Sequence, residues 1–384
     1  MKQRRALGAL LDSQRELYNA ALEERIGAWK WERRSVSYVD QCKTLTGLRV
    51  ARPDTLAHGV TVCRGSLRRL DRAFAAFYRR CKAGETAGFP RFKGRHRWDS
   101  AQWEDTSGWK LDESARRLCL QGIGHVKLNL HRPLRGVPKA ITVRREGRRW
   151  WVSIRCVDVP AQPLPGTGRM VGVDLGVASV VATSDGELSG NPRHLATAQD
   201  GLVRAQQALA TKRRGSGHRR VAVERVARAH RKVRDCRADW AHKMSRRLVD
   251  DFDVICHEDL RTANMLRRPK PKPDPATPER FLPNGAAAKA GLNRCIQDAG
   301  WSQLLAMIAY KAEDAGRAVI AVNPANTSRR CAECGHTARD NRRTQAEFRC
   351  QSCGHEANAD INAAINILRA GLALRANTRE APAV

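Results

Sequence analysis

CAECGHTARDNRRTQAEFRCQSCGHEANADINAAINIL, residues 331–368, carries two kinds of chemistry in one stretch. Cys331 and Cys334 form one C-x-x-C pair, Cys350 and Cys353 form a second, and 15 residues separate them. Each pair bends two thiolates toward one point, and four thiolates satisfy the tetrahedral coordination of a single Zn²⁺. A glycine follows each pair, Gly335 and Gly354, as a tight knuckle turn requires. With all four positions filled by sulfur this zinc is structural, and His336 and His355 read as surface residues rather than ligands. Beyond the second pair, Asp360 opens a helix, D-I-N-A-A-I-N-I-L.

Two further acids stand out upstream. Asp174 lies inside the apolar strand V-G-V-D-L-G, where a carboxylate is costly to bury unless it is paired or binds metal. Glu258 closes the apolar run D-V-I-C-H-E-D-L. Read singly, each has an ordinary explanation: a turn aspartate for Asp174, a solvent-facing strand end for Glu258, an N-cap for Asp360. Read together, an acid on a first strand, an acid ending a later strand and an acid at a final helix make the RNase H-like arrangement. Three such carboxylates can hold two Mg²⁺ roughly 3.5–4 Å apart, which stabilises both attacking and leaving oxygens of a phosphodiester. Oxygen ligands favour magnesium. Cut-and-paste transposases share the fold but usually end on Glu, so the order Asp, Glu, Asp favours a RuvC-type nuclease.

Charge points to the same class of partner. The 384 residues hold 70 Lys+Arg against 39 Asp+Glu, a formal net charge of +31, which calls for a polyanion. A compositional bias would explain Arg replacing Lys, but not the deficit of acids. No stretch of about 18 apolar residues suggests a membrane span, and no lipid anchor or secretory signal is read. Of the 12 cysteines, eight are scattered singly, which indicates reduced thiols and a cytoplasmic setting.

The length allows two or three domains. Residues 5–33 and 56–80 have helical spacing. In the second of these, Val60, Leu67, Leu70, Phe74 and Phe77 make the apolar stripe. Arg64, Arg68 and Arg72 lie among the arginines outside it and are candidate phosphate contacts. GFPRFKGRHRW, residues 88–98, alternates aromatics with cations, so Phe89, Arg91, Phe92, Lys93 and Arg95 can track a backbone and stack on bases. The same segment also reads as a structural loop anchored by its two phenylalanines. Residues 117–160 switch to strand signals, predicting a small β-barrel or antiparallel sheet. PAQPLPGTGR, residues 160–169, is the clearest linker. From 170 a hairpin meander opens a second domain. It continues through a basic helical insert at 199–250, carrying Arg213, Arg214, Arg219 and Arg220, and a buried strand at 252–260. The proline-rich segment at 269–278 is predicted to be irregular. A helix is predicted at 299–315, a strand at 317–324 and a last helix at 360–370. Arg329, at the entry to the cysteine pairs, is a further candidate contact.

At this point the chain resembles a known family. VGVDLG, EDL, NPANTSRRCAECGH and FRCQSCGHEANADINAAINIL closely resemble the TnpB proteins encoded by bacterial insertion sequences, apparent ancestors of the compact type V CRISPR effectors. GFPRFKGR and LNRCIQDAGWSQLLAMIAYKAEDAGRAVIAVNP are similar too, so the resemblance spans about residues 89–368. It implies RNA-guided double-strand DNA cleavage, directed by a guide RNA and a short flanking DNA motif, in a bacterial cytoplasm. It implies Asp174, Glu258 and Asp360 as the catalytic triad and the four paired cysteines as zinc ligands. Sequence specificity would then reside in base pairing, as in other guided nucleases. Members of that family usually open on a short basic and aromatic strand, whereas this chain opens on a helix. That implies an earlier start or a barrel without its first strand.

The expected fold is α+β and multidomain: an RNase H-like (RuvC) nuclease core with an inserted four-cysteine zinc ribbon, preceded by a helical and β-barrel recognition lobe. The expected divisions are a helical region at 1–100 and a barrel at 101–165. A nuclease core follows at 166–322, the zinc ribbon at 323–358, and the last core segment and tail at 359–384. A type V CRISPR effector, a strand-transferring transposase and a non-catalytic RNA-guided regulator are the neighbouring readings. A regulator would be expected to have lost an acid, and all three are present. Monomer and dimer are both left open.

Overall fold

Leucines at helical spacing build the first unit, Met1–Pro160. The computed structural model describes residues 2–51 and 57–380. Helix α1 (Lys2–Glu32) buries Leu7, Leu10, Leu11, Leu17, Tyr18 and Leu22 along one face. Helix α2 (Tyr38–Ala51) follows, and α3 (Val60–Lys82) buries Val62, Leu67, Leu70 and Phe74. The expected start of that helix at Leu56 lies outside the described residues. Six strands come next: β1 (Ser100–Trp103), β2 (Trp109–Asp112), β3 (Arg117–Leu120), β4 (Gly124–Lys127), β5 (Val137–Glu146) and β6 (Arg149–Val157). They form two antiparallel three-stranded sheets, β1-β5-β6 and β2-β3-β4. The expected barrel is therefore not a single ring of paired strands. The four-residue strands β2, β3 and β4 pair only among themselves, and β1 and β6 are left as sheet edges. Trp98, Trp103, Leu118, Leu120, Ile141 and Val143 join the helical leucines in one core.

The second unit, Ala161–Val384, begins five residues before the sequence boundary. Its strands and helices are β7 (Met170–Asp174), β8 (Ser179–Thr183), β9 (Leu188–Gly190), α4 (His194–Ala210), α5 (Gly217–Asp251), β10 (Val254–Glu258) and α6 (Thr262–Met265). Then come β11 (Lys272–Asp274), β12 (Thr277–Leu282), α7 (Ala286–Ala299), α8 (Trp301–Ala315), β13 (Ala318–Val322), β14 (Glu347–Arg349), β15 (Glu356–Asn358) and α9 (Ala359–Glu380). One mixed sheet runs β13-β10-β7-β8-β9. β10 lies between β7 and β13 and is parallel to both, while β8 is antiparallel to β7 and β9 to β8.

Strand alternation assigns the two faces of this sheet. Val171, Val173 and Ile255 pack with Leu248 of α5 and Leu304 and Ile308 of α8. Val254, Cys256 and Val322 pack with Ile367 of α9. Among the described residues no helix is long and apolar enough to cross a membrane.

Two departures from the sequence reading have simple causes. The proline-rich segment is not wholly irregular, because Lys272–Asp274 pairs with Thr277–Leu282. A two-stranded ribbon leaves each strand one free edge, where a proline's missing N–H is tolerated. The helix expected at 299–315 is α8, and the sequence reading placed no helix at α7, which precedes it and is set off from it by Gly300 at φ of 70°.

Glycines set how closely α9 lies on the sheet. A Cβ on Gly172 of β7 would stand 2.0 Å from the Ala364 carbonyl oxygen and 2.7 Å from the Leu368 nitrogen. A Cβ on Gly371 of α9 would stand 2.3 Å from Cys256 Sγ. Backbone cannot yield as a side chain can, so Gly172→Ala must push α9 outward and carry Asp360 with it. The expected result is a loss of about 1–3 kcal/mol of stability. The DNA cutting that the family resemblance implies should fall roughly 100-fold, as for a misplacement of about 1 Å. Thermal melting and single-turnover cleavage of the variant measure both. A variant that melts and cuts like the parent would mean that this contact does not position the helix.

Candidate active site and zinc ribbon

Asp174 ends β7 and Glu258 ends β10, and these strands are neighbours in parallel register, with Val173 opposite His257. The two acids therefore emerge side by side at the same end of the sheet. Asp360 reaches that end from the first turn of α9. A Cβ on Gly176, just past Asp174, would lie 3.6 Å from Asp360 Oδ2.

The electrostatics of the three acids follow from this placement. Burial, then the charges of Glu258 and Asp360, push the Asp174 carboxyl up to about 7. Glu258 is raised by burial, against the pull of its hydrogen bond from Thr327. Asp360 is also raised by burial, against the pull of Arg342.

Four neighbours not foreseen from the sequence organise these acids. The Thr327 hydroxyl donates to Glu258 Oε1. The Arg342 guanidinium lies 3.1 Å from Asp360 Oδ1 and also donates to the Gln345 carbonyl. Asn358 is the N-cap of α9, its side-chain oxygen accepting from the N–H of Asp360 at 3.0 Å and of Ile361 at 3.3 Å. That removes the capping explanation for Asp360, whose carboxylate is left to meet Arg342 and to act on Asp174. Asn362 accepts from the Ala332 N–H at 2.9 Å and donates to the Arg330 carbonyl at 2.8 Å. It ties the ribbon's entry to α9. Each of these polar residues is unremarkable in sequence, and only their meeting in space marks them.

The ribbon matches the geometry expected of a zinc site. Cys331 Sγ lies 3.7 Å from Cys353 Sγ, and Cys334 Sγ lies 3.5 Å from Cys350 Sγ. Four sulfurs at 2.3 Å from one zinc would stand about 3.8 Å apart. The two knuckles repeat one another: the Cys331 N–H donates to the His336 carbonyl and the Cys350 N–H to the His355 carbonyl, both at 2.9 Å. Gly335 and Gly354 take φ of 75° and 73°, as the turn demands. The Cys353 N–H, above other causes, draws the Cys350 thiol down to about 6, toward the thiolate that zinc requires. Buried Asn341 joins the knuckles, donating to the Arg329 and His336 carbonyls and accepting from the Gln351 N–H.

Among the described residues these four cysteines form the one group whose ligand atoms all lie within 4.8 Å of one another.

The candidate nucleic-acid residues have mixed surroundings. Arg64, Arg68 and Arg72 are exposed on α3, but Arg68 and Arg72 both meet Glu104, at 3.1 and 2.9 Å. Phe89 packs edge-on against Phe74 and Phe77, so it anchors its loop as well as facing solvent. Phe92 is exposed. The Lys93 backbone is held by Asn19, and Arg95 lies 3.5 Å from Asp12. Arg91, Arg213, Arg214, Arg220 and Arg329 are exposed. Arg219 instead donates to the Leu209 and Lys212 carbonyls, closing the α4–α5 turn.

Two segments of the chain match families described from transposon and CRISPR-associated proteins. Residues 153–268 match the family described as "Probable transposase" (OrfB_IS605), and residues 301–367 match "Cas12f1-like, TNB domain". The chain is 37% identical over 311 residues to a "Putative RNA-guided DNA endonuclease InsQ" of Escherichia coli (strain K12), covering 81% of this chain and 74% of that protein. It is 32% identical over 368 residues to a "Putative RNA-guided DNA endonuclease" of Streptomyces pristinaespiralis, covering 94% and 84%. To the "CRISPR-associated endodeoxyribonuclease Cas12f1" of Sulfoacidibacillus thermotolerans it is 30% identical over 235 residues, 57% of this chain and 50% of that protein. The chain belongs to the TnpB family.

Proposed function

We propose that this chain is an RNA-guided DNA endonuclease whose cutting centre is an RNase H-like, RuvC-type core. The observation that carries the proposal is the convergence of Asp174, Glu258 and Asp360 at one sheet end, where burial and then the charges of Glu258 and Asp360 hold Asp174 at about 7. The strand order β9-β8-β7-β10-β13, with only the inner neighbour β8 and the edge β9 on the hairpin side, supports the same core.

An all-oxygen set of buried acids suits a hard divalent cation, and Asp174, Glu258 and Asp360 would hold Mg²⁺. Magnesium there supplies charge stabilisation to the attacking and leaving oxygens of the phosphodiester. The chain's own residues set the stage for it. Thr327 fixes the carboxylate of Glu258, and the Asn358 cap leaves Asp360 free of its own helix's N–H groups. Arg342 offsets the charge of Asp360, and its guanidinium is of the kind that pairs with phosphate oxygens. Cys331, Cys334, Cys350 and Cys353 would hold a zinc with no open position, which would fix the segment that carries Arg342 and take no part in bond cleavage.

The partners proposed are a guide RNA and target double-stranded DNA, in keeping with a net charge of +31 and with the names of the relatives. The setting proposed is a reducing bacterial cytoplasm, where the eight cysteines outside the ribbon stay free thiols. The test is RNA removal and add-back. Protein stripped of RNA should leave a matched plasmid intact, and cutting should return only with the co-purifying guide. RNA-free protein that cuts as fast as the reconstituted complex would reduce the chain to an unguided endonuclease or a transposase.

A further inference from the structure

The sheet β1-β5-β6 has one face in the core and one face turned outward. On β6 the alternation is strict: Trp150, Val152 and Ile154 pack against the core, while Arg149, Trp151, Ser153 and Arg155 are exposed. On β5, Ile141 and Val143 are core residues and Thr142 and Arg144 face outward. On β1, Ala101 and Trp103 are core residues, which turns Ser100 and Gln102 outward.

The register stacks these outward residues into rows. Ser100, Arg144 and Trp151 form one row, and Gln102, Thr142 and Ser153 form the next. Successive outward rows lie about 6.8 Å apart along a strand. Arg149 and Arg155 flank the rows on β6, and Arg69 of α3 extends the first, donating to Ser100 Oγ at 3.3 Å. Arg144 meets Asp99 at 3.1 Å, whereas Arg149 and Arg155 pair with no carboxylate among the described residues.

A lone exposed tryptophan needs no explanation. Trp151, 45% exposed, instead stands directly opposite an arginine, with hydroxyls in the next row and further arginines, Arg149 and Arg155, along its own strand. Cations spaced around a ring suit a sugar–phosphate backbone whose bases can reach the ring face. Duplex bases are already stacked on one another, so the ring favours unpaired ones. The hydroxyls of Ser153 and Thr142 add partners for a ribose 2′-OH, the group that distinguishes RNA from DNA.

We infer that the outward face of the β1-β5-β6 sheet seats an unpaired stretch of RNA, with a base stacked on Trp151 and neighbouring phosphates held by Arg144, Arg149 and Arg155. The inference rests on the RNA-guided reading above and specifies where, and in what form, RNA is held.

The test uses the full chain stripped of RNA and three labelled probes of one length: oligouridine RNA, its abasic counterpart and oligodeoxyuridine. Trp151→Ala should weaken oligouridine binding about tenfold, the scale of one base–aromatic stack. Trp151→Phe should stay within about threefold of the parent, which shows that the ring rather than general folding is read. The abasic probe should bind equally to parent and Trp151→Ala. Arg155→Ala should lower the slope of log affinity against log salt by about one. Equal binding of oligouridine by parent and Trp151→Ala overturns the inference, as does an equal loss on the abasic or deoxy probe. If the parent itself holds no RNA, the guided reading fails as well. If the parent binds and Trp151→Ala matches it, only this face is wrong.

Discussion

Asp174→Asn protein will be more stable than its parent in magnesium-free buffer and will cut DNA on the order of 10³-fold more slowly or worse. Both effects come from one cause. Burial and the charges of Glu258 and Asp360 hold the Asp174 carboxyl near 7 in the folded chain, against about 3.9 for an unfolded aspartate. Between about pH 4 and 7 the folded state therefore keeps a proton that the unfolded state has released. Stability from this group is highest at low pH and falls as pH rises through that window. A shift of about three units caps the cost near 4 kcal/mol at neutral pH, shared with the coupled acids. Asparagine keeps the shape without the charge, so a gain of about 1–3 kcal/mol is expected. Losing a metal ligand forfeits several kcal/mol of transition-state stabilisation, and each 1.36 kcal/mol is about tenfold in rate. The measurements are thermal melts at about pH 5 and pH 8 without magnesium, either side of the folded-state value, and single-turnover cleavage with it. The parent should lose more stability than the variant between the two pH values, and magnesium should restore the parent selectively. A variant that cuts at the parent's rate would remove Asp174 from the centre.

What the sequence made legible were features that one segment carries by itself. The two C-x-x-C pairs announce their sulfur cluster through spacing, and Asp174 and Glu258 are conspicuous because each is an acid set against an apolar strand run. Asp360 was ambiguous for a physical reason: Asp at a helix start is an ordinary cap, and the ambiguity lifts only because Asn358 takes that role. Thr327 and Arg342 gave no signal, since neither breaks a hydrophobic pattern and their partners lie 69 and 18 residues away. Helix α2 carries too even a mixture of residues to show a stripe, and β1 and β2 are four residues long, too short for alternation to speak. The arginines were legible as charge but not as partners. Sequence cannot say that Glu104 meets two of them or that Arg219 closes a turn. Trp151 lay within a strand that the pattern identified, but which of its two tryptophans faced outward depended on packing against the helices.

Cys350→Ser will cost the protein its zinc, the order of its ribbon, and its cutting activity, although the zinc itself performs no chemistry. Zinc held by four thiolates has an apparent binding free energy of roughly 10–16 kcal/mol at neutral pH in small zinc domains, and that energy is folding energy. The ribbon has little else to hold it. Its hydrophobic cluster is Cys331, Phe348, Cys350 and Ala359, two of which are proposed zinc ligands, and its strands β14 and β15 span three residues each. Disorder there reaches the acids by two routes. Arg342, inside the ribbon, would leave Asp360. Asn362 and Asn366 of α9 would lose their partners at Ala332, Arg330 and Thr327, and Thr327 in turn holds Glu258. The first unit shares none of these contacts, so oligouridine binding through Trp151 should survive. Metal analysis should find about one zinc per parent chain and almost none in the variant. Hydrogen exchange should show lost protection across 331–358, with residues 2–51 unchanged. Carefully purified parent protein that contains no zinc, yet keeps a protected ribbon and cuts DNA, would refute this account of the four cysteines.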